Sequence, residues 1–389
     1  MLGLLYFWRL EQEKWFDGII DMIEMFRKNW KELPFELFVF GSGSGEKKIQ
    51  TLANENKNIH FFWRKNLDTI KRYRTNYNYC LMPSECLESF GLSALTAIQL
   101  WIPPIWYAKW GLKDFITKDL DLTHQPWHTT WEKLYHLVSK LKTPLRPEGI
   151  QQSWVKGETK GDLKTFEQYS KESRLMKFYT LAGKHVKKVI IVSDFINRIW
   201  GIETYINDVK ELLEHHGYEV ELCWWTVPSG PIGKLAKYLG IISGLGNFYE
   251  AIKLKYRIKK MKPDLIRYNS VMRYLGRAPV RISKYSTAKT WMMFHDLGYF
   301  APFPSKLTDE NQIRTPFTLS NFLKSQPTKN PIKKLAIIGK YISLCLIERQ
   351  LKKRINTFMV PSDFMVDIVH KSYKIDKENI KVFPHFIQE

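Results

Sequence analysis

Three charged residues have the types and spacing that could bind a phosphorylated sugar. Arg9 and Lys14 lie five residues apart after the apolar segment LGLLYF, and Glu88 follows the apolar segment YNYCLM at 77–82. A guanidinium can bind two phosphate oxygens and an ammonium acts as a point charge, so this pair could bind phosphate. The alternative is that this basic pair is only a solvated surface. A carboxylate such as Glu88 can accept hydrogen bonds from sugar hydroxyls.

The residues around Glu88 predict the turn that positions it. YNYCLM is typical of a buried parallel strand, and SALTAIQL, directly after the Gly91-Leu92 pair, predicts a helix that opens there. The free N–H groups and positive dipole end of that helix favour phosphate, so we expect the backbone of Phe90, Gly91 and Leu92 to hold the distal phosphate or the sugar. The carboxyl end of a strand is where open α/β sheets bind ligands. The alternative is that Glu88 only serves the helix dipole, which is worth about 0.3–1 kcal/mol.

PSECLESFGL at 83–92 resembles the donor-sugar motif PS-x-x-E-x-F-G-L-x-x-x-E of retaining family-4 (group 1) glycosyltransferases, with one additional residue between Ser84 and Glu88. FWRLEQEKW, FELFVFGSGSGEKKI, NIHFFWRKN and IPPIWYAKWGLKDFI are similar to further segments of the same half of these enzymes. The resemblance implies that Arg9 and Lys14 bind the donor and that Glu88 acts in the catalytic centre. The family has a second carboxylate where this chain has Thr96, which can bond to the donor's ribose but carries no charge. Arg64 and Lys65 are weaker candidates for the pocket of the nucleotide base.

The second half of the chain resembles the acceptor-side half of the same enzymes. KKVIIVSDF predicts a strand, and the segment IWGIETYINDVKELLEHHGYEVELC predicts a turn, an amphipathic helix and another strand. TWMMFHDLGYF at 290–300 carries His295, which the resemblance implies is catalytic, and Gly201 is implied in donor binding. We therefore expect an α/β protein of two Rossmann-like, doubly wound parallel-sheet domains (the GT-B fold). The expected domains are a donor-binding domain at 1–183 and an acceptor-side domain at 184–389.

The two halves come in the reverse of the family's order. Circular permutation and the fusion of two partial transferases both explain this order. Permutation is feasible because the helix expected at 166–182 crosses back onto the other domain, which brings the natural termini close together. The expected activity is transfer of a hexose from a nucleotide diphosphate sugar with retention of configuration. An inactive fusion product and a nucleotide-sugar epimerase of the same fold are the alternatives.

Composition is that of a globular protein. A chain of 389 residues suits two α/β domains, and its hydrophobic content of 44% and charged content of 25% are ordinary values. No apolar run reaches the ~18 residues that a membrane span needs, and the apolar start MLGLLYF lacks the basic leader of a signal peptide, so we expect a cytoplasmic protein. Cys80, Cys86, Cys223 and Cys345 form no CxxC pair, and no His/Asp/Glu cluster suggests a metal site. We expect no metal or cofactor besides the nucleotide sugar substrate.

The net charge of +21 is unevenly distributed. Residues from Lys184 onward carry 34 basic and 18 acidic side chains, a net charge of +16, which leaves +5 for residues 1–183. A basic half favours an anionic surface as partner. The segment 234–263 alternates basic and apolar residues at near-helical spacing, which indicates peripheral binding to an anionic membrane beside a glycan or lipid-linked acceptor. The alternative is a helix packed on the sheet with snorkelling lysines. We expect no nucleic-acid partner.

Several of the 14 tryptophans stand where the resemblance expects glycine. These are Trp8, Trp15, Trp63, Trp101, Trp110, Trp200, and the pair Trp224 and Trp225 in a turn. Loops of this kind need a positive φ or a close approach to phosphate, which glycine permits and tryptophan blocks. We hypothesise that these codons are UGA and are read as glycine, as some genetic codes do. The alternative is that the tryptophans are real and the site is remodelled or inactive. Trp291 has no such expectation.

Overall fold

The structure is a computed structural model that describes residues 1–11, 14, 16–30, 32–63, 65, 67–84, 86–141, 169–194, 201–224, 248–272 and 275–386. The chain forms two compact units, Met1–Glu167 and Gln168–Glu389, and each contains one parallel sheet. This confirms the predicted α/β class with two parallel Rossmann-like sheets. Trp15, Arg64, Trp200 and Trp225 lie outside the described residues, as does 225–247.

Unit 1 alternates strands and helices around a five-stranded sheet of order β3-β2-β1-β4-β5. Its strands are β1 (Leu2–Tyr6), β2 (Phe35–Val39), β3 (Ile59–Phe61), β4 (Tyr79–Leu81) and β5 (Pro104–Ile105). Its helices are α1 (Phe16–Asn29), α2 (Glu46–Glu55), α3 (Leu67–Arg72), α4 (Leu92–Gln99) and α5 (Thr130–Lys140). All pairings within the sheet are parallel.

The central strand β1 explains why this unit is layered. All five of its residues, LGLLY, are buried, as expected of a parallel strand with helices on both faces of its sheet. A Cβ added at Gly3 would lie 1.7 Å from the carbonyl oxygen of Asn76, so only glycine lets the chain entering β4 approach β1. β1 pairs with β2 on one side and with β4 on the other. The strand order therefore reverses between β1 and β4.

Unit 2 has a six-stranded parallel sheet of order β11-β10-β9-β8-β6-β7. Its strands are β6 (Lys188–Ser193), β7 (Glu219–Trp224), β8 (Leu265–Ser270), β9 (Lys289–Met293), β10 (Thr357–Val360) and β11 (Ile380–Val382). Its helices are α6 (Lys171–Ala182), α7 (Gly201–His215), α8 (Phe248–Met261), α9 (Arg277–Ile282), α10 (Leu319–Ser325), α11 (Pro331–Arg354) and α12 (Asp363–Tyr373). The strand order reverses between β6 and β8.

Helix α6 packs into the core of unit 2. Leu175 and Phe178 lie in one buried cluster with Trp291 of β9 and Phe383, which follows β11. The rings of Phe178 and Trp291 meet edge to face with centroids 5.3 Å apart. The compact unit thus begins before α6, whereas the sequence analysis placed the domain boundary after residue 183.

None of the described helices is long and apolar enough to cross a membrane.

Candidate functional site

The sheet of unit 1 places the predicted charged residues at its switch point. Arg9 and Lys14 follow β1, and Glu88 follows β4, its neighbour in the sheet. Because the strand order reverses between these two strands, their outgoing loops border the crevice where open α/β sheets bind ligands. Two segments about 75 residues apart in sequence therefore converge at one edge of the sheet.

Lys14 and Glu88 form a mostly buried ion pair. Lys14 Nζ lies 2.5 Å from Glu88 Oε1, and the two side chains are only 10% and 17% exposed. Ser84 Oγ donates a hydrogen bond of 2.7 Å to the same oxygen. Lys14 Nζ also lies 3.3 Å from Ser84 Oγ and 3.4 Å from Cys86 Sγ. Lys14, the residue predicted to bind phosphate, and Glu88, the residue predicted to bind the sugar, are thus paired with each other in this structure.

Both members of the pair are held in their charged forms. Burial disfavours the ammonium of Lys14, but the Glu88 carboxylate outweighs it and raises the pKa of Lys14. Burial likewise acts to raise the pKa of Glu88, but Lys14, Ser84 and Arg9 together lower it. The exposed Arg9 adds one positive charge, so the predicted trio, Arg9, Lys14 and Glu88, carries a net charge of +1.

Two hydrogen bonds to backbone carbonyls hold the loop that carries Glu88 in place. Gly111 N donates to the Glu88 carbonyl oxygen at 3.0 Å, and Trp106 Nε1 donates to the Ser84 carbonyl oxygen at 2.9 Å. A Cβ at Gly111 would lie 2.4 Å from the backbone nitrogen of Phe90. Sequence reasoning did not single out Ser84 or Trp106, although Ser84 stands in the Pro-Ser turn that the motif contains.

Helix α4 begins at Leu92, next to this ion pair. Its N-cap residue, Gly91, has a φ of 92°, and no side chain caps the helix. Phe90 is buried beneath the turn. An uncapped helix start leaves backbone N–H groups that favour an anion, as expected from the sequence. Thr96, one turn further on, donates its hydroxyl to the Leu92 carbonyl oxygen at 2.9 Å and so bonds to its own helix.

Trp8 stands over the ammonium of Lys14. The distance from Lys14 Nζ to the centre of the indole ring is 5.0 Å, which is a cation–π contact. The ring is half-buried. Lys65, the weaker base-pocket candidate, is exposed.

His295 lies in unit 2, just past the carboxyl end of β9. Its Nε2 is 3.0 Å from Asn269 Oδ1, and its ring stacks on that of His385 with centroids 5.1 Å apart and planes 8° from parallel. Burial, with His385 and Arg267 as further causes, holds the pKa of His295 well below its usual value. The imidazole is therefore uncharged at pH 7. It can donate and accept hydrogen bonds, but it supplies no positive charge.

Arg267 is a buried cation that sequence reasoning missed. It sits in the middle of β8, 1% exposed, and its Nη2 donates to Tyr205 Oη at 3.0 Å. Its guanidinium carbon lies 5.5 Å from the Tyr205 ring and 5.4 Å from the Phe383 ring. Among the described residues, neither its Nε nor its Nη1 has a hydrogen-bond acceptor. An arginine directly after the apolar pair Leu265-Ile266 at the start of this strand was the signal that could have revealed it.

Two further residues shape the same edge of the second sheet. Asp194, at the end of β6, accepts hydrogen bonds from Leu275 N at 2.9 Å and Ser270 Oγ at 3.0 Å. These bonds tie the loops after β6 and β8 together at the switch point of unit 2. Gly201 is the first residue of α7, and its role in donor binding stays a prediction.

Comparisons with known proteins point to one family for unit 1. Residues 3–141 match the model of "Glycosyl transferases group 1". The match spans β1 to α5 and includes both Lys14 and Glu88. It covers less than half of the chain, so it describes unit 1 and leaves unit 2 unassigned. No curated protein matches the chain.

Three solved structures are similar in part. The pneumococcal O-GlcNAc transferase GtfA, in complex with UDP and GlcNAc, is 18% identical with a TM-score of 0.32, covering 46% of this chain and 35% of its own. WaaG, a glycosyltransferase involved in lipopolysaccharide biosynthesis, is 24% identical with a TM-score of 0.29, covering 39% and 42%. Anabaena Alr3699/HepE, in complex with UDP and glucose, is 9% identical with a TM-score of 0.20, covering 91% and 99%. The chain thus spans well under half of the first two proteins, and at such TM-scores these likenesses carry no argument.

Proposed function

We propose that this protein is a retaining glycosyltransferase that moves a hexose from a nucleotide diphosphate sugar to a glycan or lipid-linked acceptor. The Lys14–Glu88 pair at the switch point of the first sheet carries the proposal. The family match over residues 3–141 supports it. In this assignment unit 1 binds the donor, unit 2 binds the acceptor, and the two halves stand in reversed order. The donor is a substrate, and the proposal requires no cofactor.

The contacts of Glu88 leave room for a sugar. All of its side-chain hydrogen bonds among the described residues fall on Oε1. Oε2 can therefore accept a hydrogen bond from a hydroxyl of the donor sugar while Oε1 keeps Lys14 in place. The carboxylate would then position the sugar and the ammonium at once.

Lys14 can keep this partner and still receive a phosphate. An ammonium has three donors, and its short contact is the one with Glu88, whereas the contacts with Ser84 and Cys86 are 3.3 and 3.4 Å long. A phosphate oxygen that replaces one of the longer contacts gains a charge-assisted hydrogen bond. With Arg9 beside it, Lys14 would stabilise the charge that develops on the departing diphosphate. The uncapped N–H groups of α4 would hold the distal phosphate.

Unit 2 would supply a neutral histidine. The imidazole of His295 can hydrogen-bond to the transferred sugar without adding charge, because its pKa is held well below 6.5. Gly201 would let the start of α7 approach the substrate closely. Thr96 would contribute at most one hydrogen bond to the donor's ribose, and none while it bonds to Leu92.

A binding measurement tests the role of unit 1. We expect Arg9→Met and Lys14→Met to weaken UDP or GDP binding at least about tenfold in calorimetry, since each removes a charge-assisted hydrogen bond. Lys48→Met is the matched control, because Lys48 forms an exposed ion pair with Asp17 away from the site. Arg9 is exposed, so its variant should fold even if the Lys14 variant does not. Equal affinity in all three variants contradicts the proposal.

An activity measurement separates the proposal from its alternatives. Incubation with several nucleotide sugars should release nucleotide diphosphate and, with an acceptor, give a product whose anomeric configuration matches that of the donor. An inactive fusion product releases no nucleotide, and an epimerase converts the sugar without a net acceptor product. A product of inverted configuration, read by NMR, overturns retention.

A further inference from the structure

Helix α8 of unit 2 has an apolar stripe on each of two sides. One stripe, Ala251, Leu254, Ile258 and Met261, is buried against the sheet. The other, Tyr249, Ile252 and Tyr256, recurs at the same helical spacing but is 61–68% exposed. A single exposed apolar residue is ordinary, but a continuous stripe on a helix surface indicates a partner.

Lysines and a further tyrosine surround the exposed stripe. The helix sequence FYEAIKLKYRIKKM has five basic residues, and its one acid, Glu250, is buried and paired with Lys253 at 3.2 Å. Tyr285, in the turn after α9, is 54% exposed and lies 4.4 Å from Lys255 Nζ. Lys253 Nζ in turn lies 4.3 Å from the Tyr249 ring. This surface therefore combines aromatic rings, an aliphatic centre and an excess of positive charge.

We propose that the outward side of α8, with Tyr249, Ile252 and Tyr256 at its centre and Tyr285 beside it, lies in the headgroup layer of an anionic bilayer. We call this surface the α8 face. Tyrosine is enriched at membrane interfaces because its ring is apolar and its hydroxyl is polar. Each lysine near an anionic leaflet adds electrostatic attraction. A helix that exposes a convex stripe, rather than a groove, suits a planar lipid surface better than a peptide.

The α8 face runs from the amino edge of the sheet toward its carboxyl edge. A surface depression of about 390 Å³ is lined by Tyr256 and Lys260 of α8 and by Lys188 and Glu219 at the amino ends of β6 and β7. The later half of α8 thus lies at the amino edge of the sheet. Its first turns, with Tyr249, lie toward the carboxyl edge, where His295 is. Under the proposed function, the bilayer would present a lipid-linked acceptor at that edge.

Vesicle flotation tests the α8 face. We expect the protein to float with phosphatidylcholine vesicles that contain phosphatidylglycerol at low salt and to be released at high salt. The triple variant Tyr249→Ser, Ile252→Ser, Tyr256→Ser should lose at least about tenfold in partitioning. The control Tyr73→Ser removes an exposed tyrosine from unit 1 and should behave as wild type.

Three results would overturn this proposal. They are absence of flotation at low salt, equal binding to neutral vesicles, and unchanged flotation of a triple variant whose circular dichroism is that of wild type. Release of nucleotide from the donor is measured on the same samples without vesicles. It should be unchanged in the triple variant, so a failure of the α8 face is distinguishable from a failure of the proposed function.

A second inference concerns tryptophans in left-handed backbone. Among the described residues, five that are not glycine have a positive φ, and three of them are Trp63 at 49°, Trp101 at 56° and Trp110 at 52°. The chain has 14 tryptophans in 389 residues, so chance would place fewer than one among five. The left-handed region strains the backbone of a residue that has a side chain, and glycine avoids this strain.

Trp101 occupies a position at the end of a helix where glycine is most common. Leu100 is the C-cap of α4, so Trp101 is the next residue, C′. Trp101 N donates to the Ile98 carbonyl at 2.8 Å, and Ile102 N donates to the Ala97 carbonyl at 2.9 Å. These two bonds are the Schellman motif, whose C′ residue is usually glycine because its φ is positive.

Trp63 and Trp110 lie in loops of unit 1. The carbonyl of Trp63 accepts a hydrogen bond from Gly41 N at 3.1 Å in the loop after β3. Trp110 precedes Gly111, where an added Cβ would meet the backbone of Phe90 at 2.4 Å. We infer that the natural protein carries glycine at 63, 101 and 110, encoded by UGA. Trp8 has no positive φ, but a glycine there would uncover Lys14.

Codon and mass measurements decide this inference. We expect UGA at codons 63, 101 and 110, and glycine-mass peptides in the protein from its native organism. Trp106 and Trp291 are the matched controls, since Trp106 donates through Nε1 and Trp291 is buried in β9, and both should be encoded by UGG. UGG at the three codons, or peptides of tryptophan mass, overturns it. In a recombinant protein, Trp101→Gly should raise the Tm, and a lower Tm would contradict the backbone argument.

Discussion

The two units bury charge in opposite ways. In unit 1 the Lys14 ammonium has a carboxylate partner, and each group holds the other in its charged form. In unit 2 the Arg267 guanidinium is buried beside two neutral histidines and bonds to an uncharged phenol. The first arrangement stays charged over a wide pH range, whereas the second depends on its histidines remaining neutral. The comparison predicts that the units respond differently to lost partners and to acid.

The largest expected effect is the loss of the carboxylate from the pair in unit 1. Glu88→Gln leaves the Lys14 ammonium buried without its counter-charge, which should reduce the free energy of unfolding of unit 1 by about 3–5 kcal/mol. Denaturant titration with hydrogen exchange on unit 1 peptides measures this. Glu24→Gln, which breaks an exposed pair with Arg27, should change it by less than about 1 kcal/mol. A similar small change in both variants would mean that the pair is not stabilising.

Acid should weaken unit 2 before unit 1. Burial, with Arg267 and Arg174, lowers the pKa of His385 to about 3, and that of His295 is also lowered. Between pH 6.5 and 3 the unfolded chain therefore binds more protons at His385, which should remove up to about 1.4 kcal/mol of stability per pH unit as the pH falls. His295 acts in the same direction below pH 6.5.

The carboxylate of unit 1 responds in a lower pH range. The pKa of Glu88 is lowered, so its contribution is present above the ordinary pKa of a glutamate and is lost only below it. Hydrogen exchange at pH 5.5 and 7.5 should show faster opening of unit 2 alone at the lower pH. The double variant His295→Asn, His385→Gln should flatten this response. Equal acid sensitivity of both units contradicts the comparison.

Removal of a single hydroxyl should have an intermediate effect. Tyr205→Phe deprives Arg267 Nη2 of its acceptor, so we expect unit 2 to lose about 1–3 kcal/mol of stability. Tyr77→Phe is the matched control, because within the described residues no hydrogen bond reaches the buried hydroxyl of Tyr77. Urea unfolding of both variants measures the difference. A loss in Tyr77→Phe as large as that in Tyr205→Phe would show that packing, not the hydrogen bond, is responsible.

The smallest expected effect is at Thr96. Its hydroxyl bonds to the Leu92 carbonyl rather than to the loop of Glu88, so Thr96→Val should change stability by no more than about 0.5 kcal/mol and UDP affinity by less than about twofold. Ser84→Ala is the comparison, since it removes a bond to Glu88 Oε1 and should cost about 1 kcal/mol. A large loss of UDP affinity in Thr96→Val would show that the hydroxyl turns toward the donor.

Local sequence patterns predicted the framework of both units. Continuous apolar runs such as LGLLY and KVIIVS became buried parallel strands, and the helix after Gly91 begins where the pattern placed it. The buried arginine of β8 was not predicted, because a charged residue in a strand is usually taken to face solvent. The charge of Arg267 is accommodated by rings from α7 and from the segment after β11, which sequence periodicity cannot bring together.

The sequence alone determined that the chain alternates strands and helices, and that Arg9, Lys14 and Glu88 follow strands of one sheet. Those features depend on side-chain periodicity and local turn chemistry, which act over a few residues. Only the tertiary structure decided that Lys14 pairs with Glu88 and that Thr96 bonds to its own helix. It likewise decided that His295 stacks on His385, since such pairings join segments far apart in sequence and depend on strand order and packing.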